Sequence, residues 1–204
     1  MKDANAQSDH SRTLAGLIGS RICHDLISPV GAIANGLELL SLAGLPEGPE
    51  MQLVSQSATK AGARLRFFRV AFGMSSEGQT MPTRELSGIL RNVYTEKTRI
   101  DWVCTGDLNR PVAQAICLGV LCAEQALAQG GSITIGGTAD ALEIMASGGP
   151  LNPRPEHWDW LRTGAAPNDV PAAQVQFLML YGLATDMGRS VEVEISTKAV
   201  TLRV

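Results

Sequence analysis

Apolar residues recur along this chain in two different rhythms. From about Ser11 to Ala43 they follow a helical period, and Ile18, Ile22, Leu26, Ile33, Leu37 and Leu40 fall within about 100° of arc at about 100° per residue. The helix breakers of Gly44-Leu-Pro-Glu-Gly-Pro49 end that run. A second helical stretch spans about Glu50 to Met74. It carries Val54, Ala58, Ala61, Leu65, Phe68 and Phe72 at alternating spacings of four and three, a heptad-like seam. Ser75-Ser-Glu-Gly-Gln-Thr80 then reads as a linker.

Beyond the linker the pattern mixes helices with short strands. It predicts a helix over Thr83–Glu96, a strand over Ile100–Cys104 and a strong helix over Pro111–Gln129, stopped at Gly130-Gly131. Strands follow at Ser132–Gly136 and Ala141–Ala146. A long loop from Gly148 to Pro171, holding five prolines and two tryptophans, leads to a helix over Ala172–Met187. Ser190–Ser196 and Val200–Val204 read as a closing hairpin. The fold class expected is α+β: a helical hairpin over residues 1–76, then an α/β sandwich over residues 83–204.

The hairpin has a consequence for assembly. Two helices, each roughly 40–50 Å long at about 1.5 Å per residue, cannot bury such an apolar seam between themselves. Pairing with a second copy in a dimeric four-helix bundle would bury it, so a homodimer is expected.

Composition narrows the function. The 204 residues are 45% hydrophobic and 18% charged, with a formal net charge of -3. A nucleic-acid binder would show a basic patch, and aromatics at 4% leave little for base stacking, so no direct nucleic-acid partner is expected. The most apolar run, near Ile116–Leu127, is broken by Glu124 and predicts no membrane span. The polar start MKDANAQSDHSRT lacks the apolar core of a signal peptide. Cys23, Cys104, Cys117 and Cys122 form no CxxC pair and read as thiols in a reducing compartment. A cytoplasmic location is the expectation.

One histidine stands on the wrong side of its helix. With Ile22 at zero, His24 falls at about 200°, nearly opposite the apolar stripe. Ser20, Ser28, Gly31 and Asn35 share that outward face, a shallow surface of small residues. Pro29 removes one backbone hydrogen bond about a turn below. An isolated surface histidine is ordinarily idle; its company changes that. His24-Asp25-Leu26-Ile27-Ser28-Pro29 resembles the H-box of sensor histidine kinases: His, acidic residue, Leu, variable, Thr/Ser/Asn, Pro. The chemistry explains the residue types. Neutral imidazole is nucleophilic and available near its pKa of about 6.5. An adjacent carboxylate favours the imidazolium-like product, and phosphoryl transfer needs mainly alignment and charge neutralisation.

The second half has the element order of the histidine-kinase/Hsp90-type ATPase domain without its nucleotide motifs. Leu121-Cys-Ala-Glu-Gln-Ala-Leu127 puts Glu124-Gln125 near the place of a magnesium-binding asparagine. Ile144-Met-Ala-Ser-Gly-Gly-Pro150 has Ala146 in place of the adenine-reading aspartate, and Ala173-Gln-Val-Gln-Phe177 lacks the glycines that approach phosphates. This half resembles a degenerate ATPase domain.

A bundle with an intact H-box beside a blank ATPase-like domain resembles the ChpT-type histidine phosphotransferases of alphaproteobacterial phosphorelays. The likeness covers roughly residues 11–204 and is sharpest over His24–Leu40 (HDLISPVGAIANGLELL). It implies a homodimer that accepts a phosphoryl group from the receiver domain of a hybrid histidine kinase and passes it to a response-regulator receiver aspartate. It implies no cofactor of the chain's own, with Mg2+ expected in the partner receiver domain. By the motif, His24 would be the acceptor, Asp25 its acidic support and Ser28 the residue one turn below. Ile27, Gly31, Asn35 and Arg64 are the expected partner-contact positions. Arg66 and Arg69 read as a solvated face, and His10 and His157 as residues outside the transfer site. Two rivals differ in class: a divergent histidine kinase, which would bind ATP, and a dimeric scaffold or inhibitor, which would be indifferent to His24.

Overall fold

The computed structural model describes residues 19, 22, 26–42, 48–74, 78–94, 97–167 and 169–204. They belong to two compact units, Met1–Met74 and Ser75–Val204.

The first unit holds two helices, α1 (residues 26–42, with residues 19 and 22 also helical) and α2 (Pro49–Phe72). Pro49 opens α2, where a missing N–H costs nothing. The helices meet along one column each. On α1 the half-buried Ile27, Val30, Ala34 and Leu37 recur at spacings of three and four; on α2, Met51, Ser55, Ala58, Gly62 and Leu65 do the same. The approach is close at Gly62, where an added Cβ would lie 3.8 Å from Val30 Cγ1.

Each predicted stripe meets this contact only in part: Leu37 of the first, and Ala58 and Leu65 of the second, belong to it. Ile22, Leu26, Ile33 and Leu40 of the first stripe leave 41–53% of their surface exposed, and Ile18 lies outside the described residues. Of the second seam, Ala58 is buried, Leu65, Phe68 and Phe72 are half-buried, and Val54 and Ala61 are exposed. The buried residues of α2 are Ala58, Ala63, Phe67, Val70 and Ala71. Periodicity registers every apolar column alike. It does not separate the column used inside the hairpin from one left outside it.

The second unit is a layer of helices on a mixed sheet. In chain order it contains β1 (Thr80–Pro82), α3 (Thr83–Val93), β2 (Thr98–Trp102), β3 (Asp107–Asn109), α4 (Arg110–Glu124), β4 (Gly131–Thr138) and β5 (Ala141–Ser147). Then come α5 (Pro155–Thr163), α6 (Val175–Asp186), β6 (Glu192–Ile195) and β7 (Ala199–Arg203). Five strands pair in the order β2-β4-β5-β7-β6; β2 and β4 run parallel and the other pairs antiparallel. Strands β1 and β3 form a separate antiparallel ribbon.

The core lies where α4 crosses the sheet. Alternate strand residues Ile133, Ile135, Leu142, Ile144, Ala146, Val200 and Leu202 are buried, as is every residue of α4 from Val112 to Ala123. Asn109 caps α4 by accepting the Val112 N–H at 2.9 Å. Gly119 stands where α4 passes over β5, and a Cβ there would run into Ile144 Cδ1.

Three expectations need correction. The stretch Gly148–Pro171 is not all loop, because α5 lies inside it. Pro155 occupies its first turn, where proline is tolerated, and Gly164 closes it in the left-handed region (φ 70°) with its N–H on the Trp160 carbonyl. Helix α4 ends at Glu124, well before Gly130-Gly131. Strands β1 and β3 were not expected, since three residues carry no readable period.

Within α5, Trp158 is 1% exposed and meets the Phe177 ring of α6 edge-on, with centroids 5.2 Å apart. Trp158→Ala should destabilise this unit by about 3–5 kcal/mol, the usual cost of an emptied large-aromatic site. Denaturant unfolding followed by the remaining tryptophan fluorescence checks it. A cost below about 1 kcal/mol would mean that α5 is not part of the core.

Candidate functional site

The sequence singled out the outer face of α1. The candidate acceptor His24 and its neighbour Asp25 lie outside the described residues, as do Cys23, Ser20 and His10. The lower part of that face is described. Ser28 and Asn35 are exposed; Gly31 between them is half-buried, and a Cβ added there would have no heavy atom within 4 Å. This stretch is therefore open and lightly built. Ile27 differs from its neighbours: it is half-buried in the column that α1 turns toward α2. The guanidinium of Arg64 stands 5.3 Å from the centroid of the Phe68 ring on its own helix, a cation–π arrangement that holds it along α2.

The sequence reading missed a cavity of about 460 Å³ between the two helices toward the closed end of the hairpin. Ala34, Leu37, Glu38 and Ser41 line it from α1, and Met51, Gln52, Ser55, Gln56 and Thr59 from α2. Its walls are mostly small or uncharged polar groups over Leu37 and Met51. The signal for it was present in the spacing. Glu38 lies seven residues after Gly31, so the two share one side of α1 to within ~20°.

The positions that the sequence sets against nucleotide motifs are used for packing in the second unit. Ala146 is fully buried in β5, opposite Ile133 on one side and Val200 on the other. A carboxylate at that position would be buried among apolar side chains, which is costly without a partner. Glu124, at the end of α4, accepts the Tyr94 hydroxyl at 2.9 Å, tying that helix end to the residue that follows α3. No glycine opens α6; a single 3-10 turn, Ala172–Gln174, leads into it. Among the described residues no cluster of His, Cys, Asp and Glu has the geometry of a metal site. Cys104, Cys117 and Cys122 are free and buried, and burial raises all three thiol pKa values, which keeps them protonated and unreactive.

Among the described residues the histidine is His157, half-buried on α5 with its ring 4.8 Å from Trp160 and 5.3 Å from Phe177. Burial, with a smaller contribution from Arg154, holds its pKa below the ordinary value, against the opposing pull of Glu156. Its role is packing.

The comparisons with known proteins agree on one family. Residues 83–199 match the family described as histidine phosphotransferase C-terminal domain. The chain is 33% identical over 194 residues to protein phosphotransferase ChpT of Brucella abortus (strain 2308), covering 92% of each. It also superposes on a solved structure described as a bacterial phosphotransferase, with a TM-score of 0.65 and 28% identity over 90% of this chain and 91% of that one.

His157 gives this unit a pH dependence of definite sign. The unfolded chain takes up a proton near pH 6.5 and the folded one only at lower pH, so acid favours the unfolded state. Stability is fully present above the unfolded value and falls as pH drops through the folded one. Denaturant midpoints should therefore fall from pH 7.5 to pH 5.5 more steeply in the wild type than in His157→Phe. Equal slopes would remove His157 from the acid response.

Proposed function

The chain belongs to the histidine phosphotransferase family and is a protein phosphotransferase of phosphorelay type, and on that premise we propose that His24 is the residue that carries the phosphoryl group. It takes the group from the receiver domain of a hybrid histidine kinase and delivers it to the receiver aspartate of a response regulator. The H-box His24–Pro29 supports this reading, and the observation that carries it is the open face of α1. Ser28, Gly31 and Asn35 leave room for another protein, and the polar cavity walled by Glu38, Gln52, Gln56 and Thr59 extends that room between the helices.

Transfer proceeds without any group beyond those that the two proteins bring. The lone pair of an unprotonated His24 ring nitrogen attacks phosphorus. The bond from phosphorus to the receiver's aspartyl oxygen breaks, and the electron pair leaves on the carboxylate. The second ring nitrogen keeps its proton, so the phosphorylated ring is an imidazolium whose charge Asp25 balances. Mg2+ bound in the receiver's acidic pocket supplies charge neutralisation from that side. Ser28, one turn below, faces the same partner. Delivery is the same step in reverse toward a second receiver.

The protein works as a homodimer in the cytoplasm, its hairpins paired in a four-helix bundle and its second unit serving as a degenerate relative of the kinase ATPase domain. The exposed column Ile22, Leu26, Ile33 and Leu40 supports the bundle, because water-exposed leucine and isoleucine in a heptad pattern are stabilised by a matching surface. Val54 and Ala61 of α2, also exposed, continue it. No helix among the described residues is long and apolar enough to cross a membrane.

Incubation with a receiver domain charged with radiolabelled phosphate tests the transfer. The wild type should acquire acid-labile phosphate and His24→Ala none, while Asp25→Ala should be slowed by about 10²-fold, the low end of positioned acid–base help. Labelling of His24→Ala at the wild-type rate would move the acceptor elsewhere.

Sedimentation tests the assembly. Ile33→Glu places a charge in the exposed column at little cost to the hairpin itself and should convert dimer to monomer at micromolar concentration. A wild-type chain that sediments as a monomer would refute the bundle.

A further inference from the structure

The cavity inside the hairpin carries a single charge. Of the residues that line it, Glu38 alone is ionisable, set among Gln52, Gln56 and Thr59 over Leu37 and Met51. Glu38 is exposed, and among the described residues it takes part in no ion pair or hydrogen bond. A solvated carboxylate of this kind keeps its full acceptor set for a ligand.

Shape says what kind of ligand fits. From Ala34 to Ser41 and from Gln52 to Thr59 the walls run seven residues, roughly 10 Å along each helix. Glu38, Gln52, Gln56 and Thr59 are exposed, whereas Leu37 and Met51 are half-buried. The cavity is thus a slot with polar rims over an apolar floor, open on one side. A small-molecule site encloses about 70–90% of its ligand's surface, and a slot open along its length does not. About two turns of a third helix match the length, and a helix keeps its far side outside.

Charge narrows the occupant. Lysine and arginine carry a long apolar stem under a cationic head, so the stem can lie on Leu37 and Met51 while the head reaches Glu38. Gln52 and Gln56 supply neutral carbonyl acceptors beside it. An acidic side chain would meet Glu38 at like charge. A second copy of this chain suits the slot poorly, because a two-fold contact centred there would turn one Glu38 toward the other.

We propose that this slot receives a helix of the receiver domain, and that Glu38 selects among receivers by pairing with a lysine or arginine on that helix. The proposal rests on the reading that this chain exchanges phosphoryl groups with receivers, and it adds a residue that discriminates between them. No bond forms or breaks at Glu38. It acts on docking and leaves the transfer step unchanged.

The test titrates the full-length protein with a receiver that labels the wild type, used in its unphosphorylated form. Glu38→Gln should weaken binding by about three- to fivefold at about 0.05 M salt, and Glu38→Lys by about tenfold or more, since it sets like charges together. The deficit of Glu38→Gln should shrink toward none at about 0.5 M salt, where exposed pairs are screened. With the receiver saturating, Glu38→Gln should transfer at the wild-type maximal rate. Glu50→Gln removes the same charge about 160° round α2 from Gln52, outside the slot, and should bind as the wild type does. Replacing the receiver's exposed lysines and arginines by alanine one at a time should find one whose loss is felt against the wild type and not against Glu38→Gln. Equal affinity of Glu38→Gln and wild type, a deficit that persists at high salt, an equal deficit in Glu50→Gln, or additive losses at every receiver cation overturns the proposal. A Glu38→Gln chain that sediments at half the wild-type mass assigns the slot to a second copy and overturns it too. If Glu38→Gln binds normally while the wild type is labelled, only this proposal fails; if no receiver labels the wild type, the phosphorelay reading fails with it.

Discussion

A pair of helices can turn only one column of each toward the other, and the hairpin is organised around how that column is chosen. The close approach of Val30 to Gly62 fixes it. Small residues on α2, Ser55, Ala58 and Gly62, let the half-buried Val30, Ala34 and Leu37 of α1 settle against them. Every other column then falls to one side or the other. On one side α1 offers Ile22, Leu26, Ile33 and Leu40; on the other it offers Ser28, Gly31, Asn35 and Glu38. The first set suits a permanent partner of its own kind. The second suits a visitor.

The second unit shows a different constraint at work, the cost of burying charge. A nucleotide site needs polar groups aimed into a cleft, and each is expensive to retain once no ligand satisfies it. Here the corresponding positions serve the core. Ala146 fills a place between strands, Trp158 and Phe177 join α5 to α6, and Glu124 is held by the Tyr94 hydroxyl. Apolar packing at these positions needs no ligand to satisfy it, which makes it the cheaper arrangement for a core.

Much of this was legible before any coordinates. The α+β order of elements, both long helices and the strands β4, β5 and β7 follow from period and punctuation, and the H-box is a local motif that needs no fold to be read. The rest was hidden for physical reasons. Helix α5 sits among prolines because Pro155 is at a helix start, where the usual penalty disappears, so a breaker was read where an initiator stood. Strands of three residues carry no period. The apolar stripes of α1 and α2 are legible as faces, but a sequence marks which faces are apolar and not which of them meet inside one chain. Ile27 falls among the partner-contact positions of the sequence for the same reason, and its place in the column facing α2 shows only in the packed hairpin.

The contrast between the two outer faces bears on how a phosphorelay intermediate must behave. It must meet a donor, release it, and then meet an acceptor, so tight docking would defeat it. Apolar burial is steep, worth ~25 cal/mol per Å², and a groove lined by leucines would hold its visitor too long. A groove lined by Glu38, Gln52, Ser55, Gln56 and Thr59 gives contacts worth ~0–1 kcal/mol each at an exposed surface, enough to set register and too little to trap. Weak polar contacts of this kind keep residence short, which is what serial transfer between two partners requires.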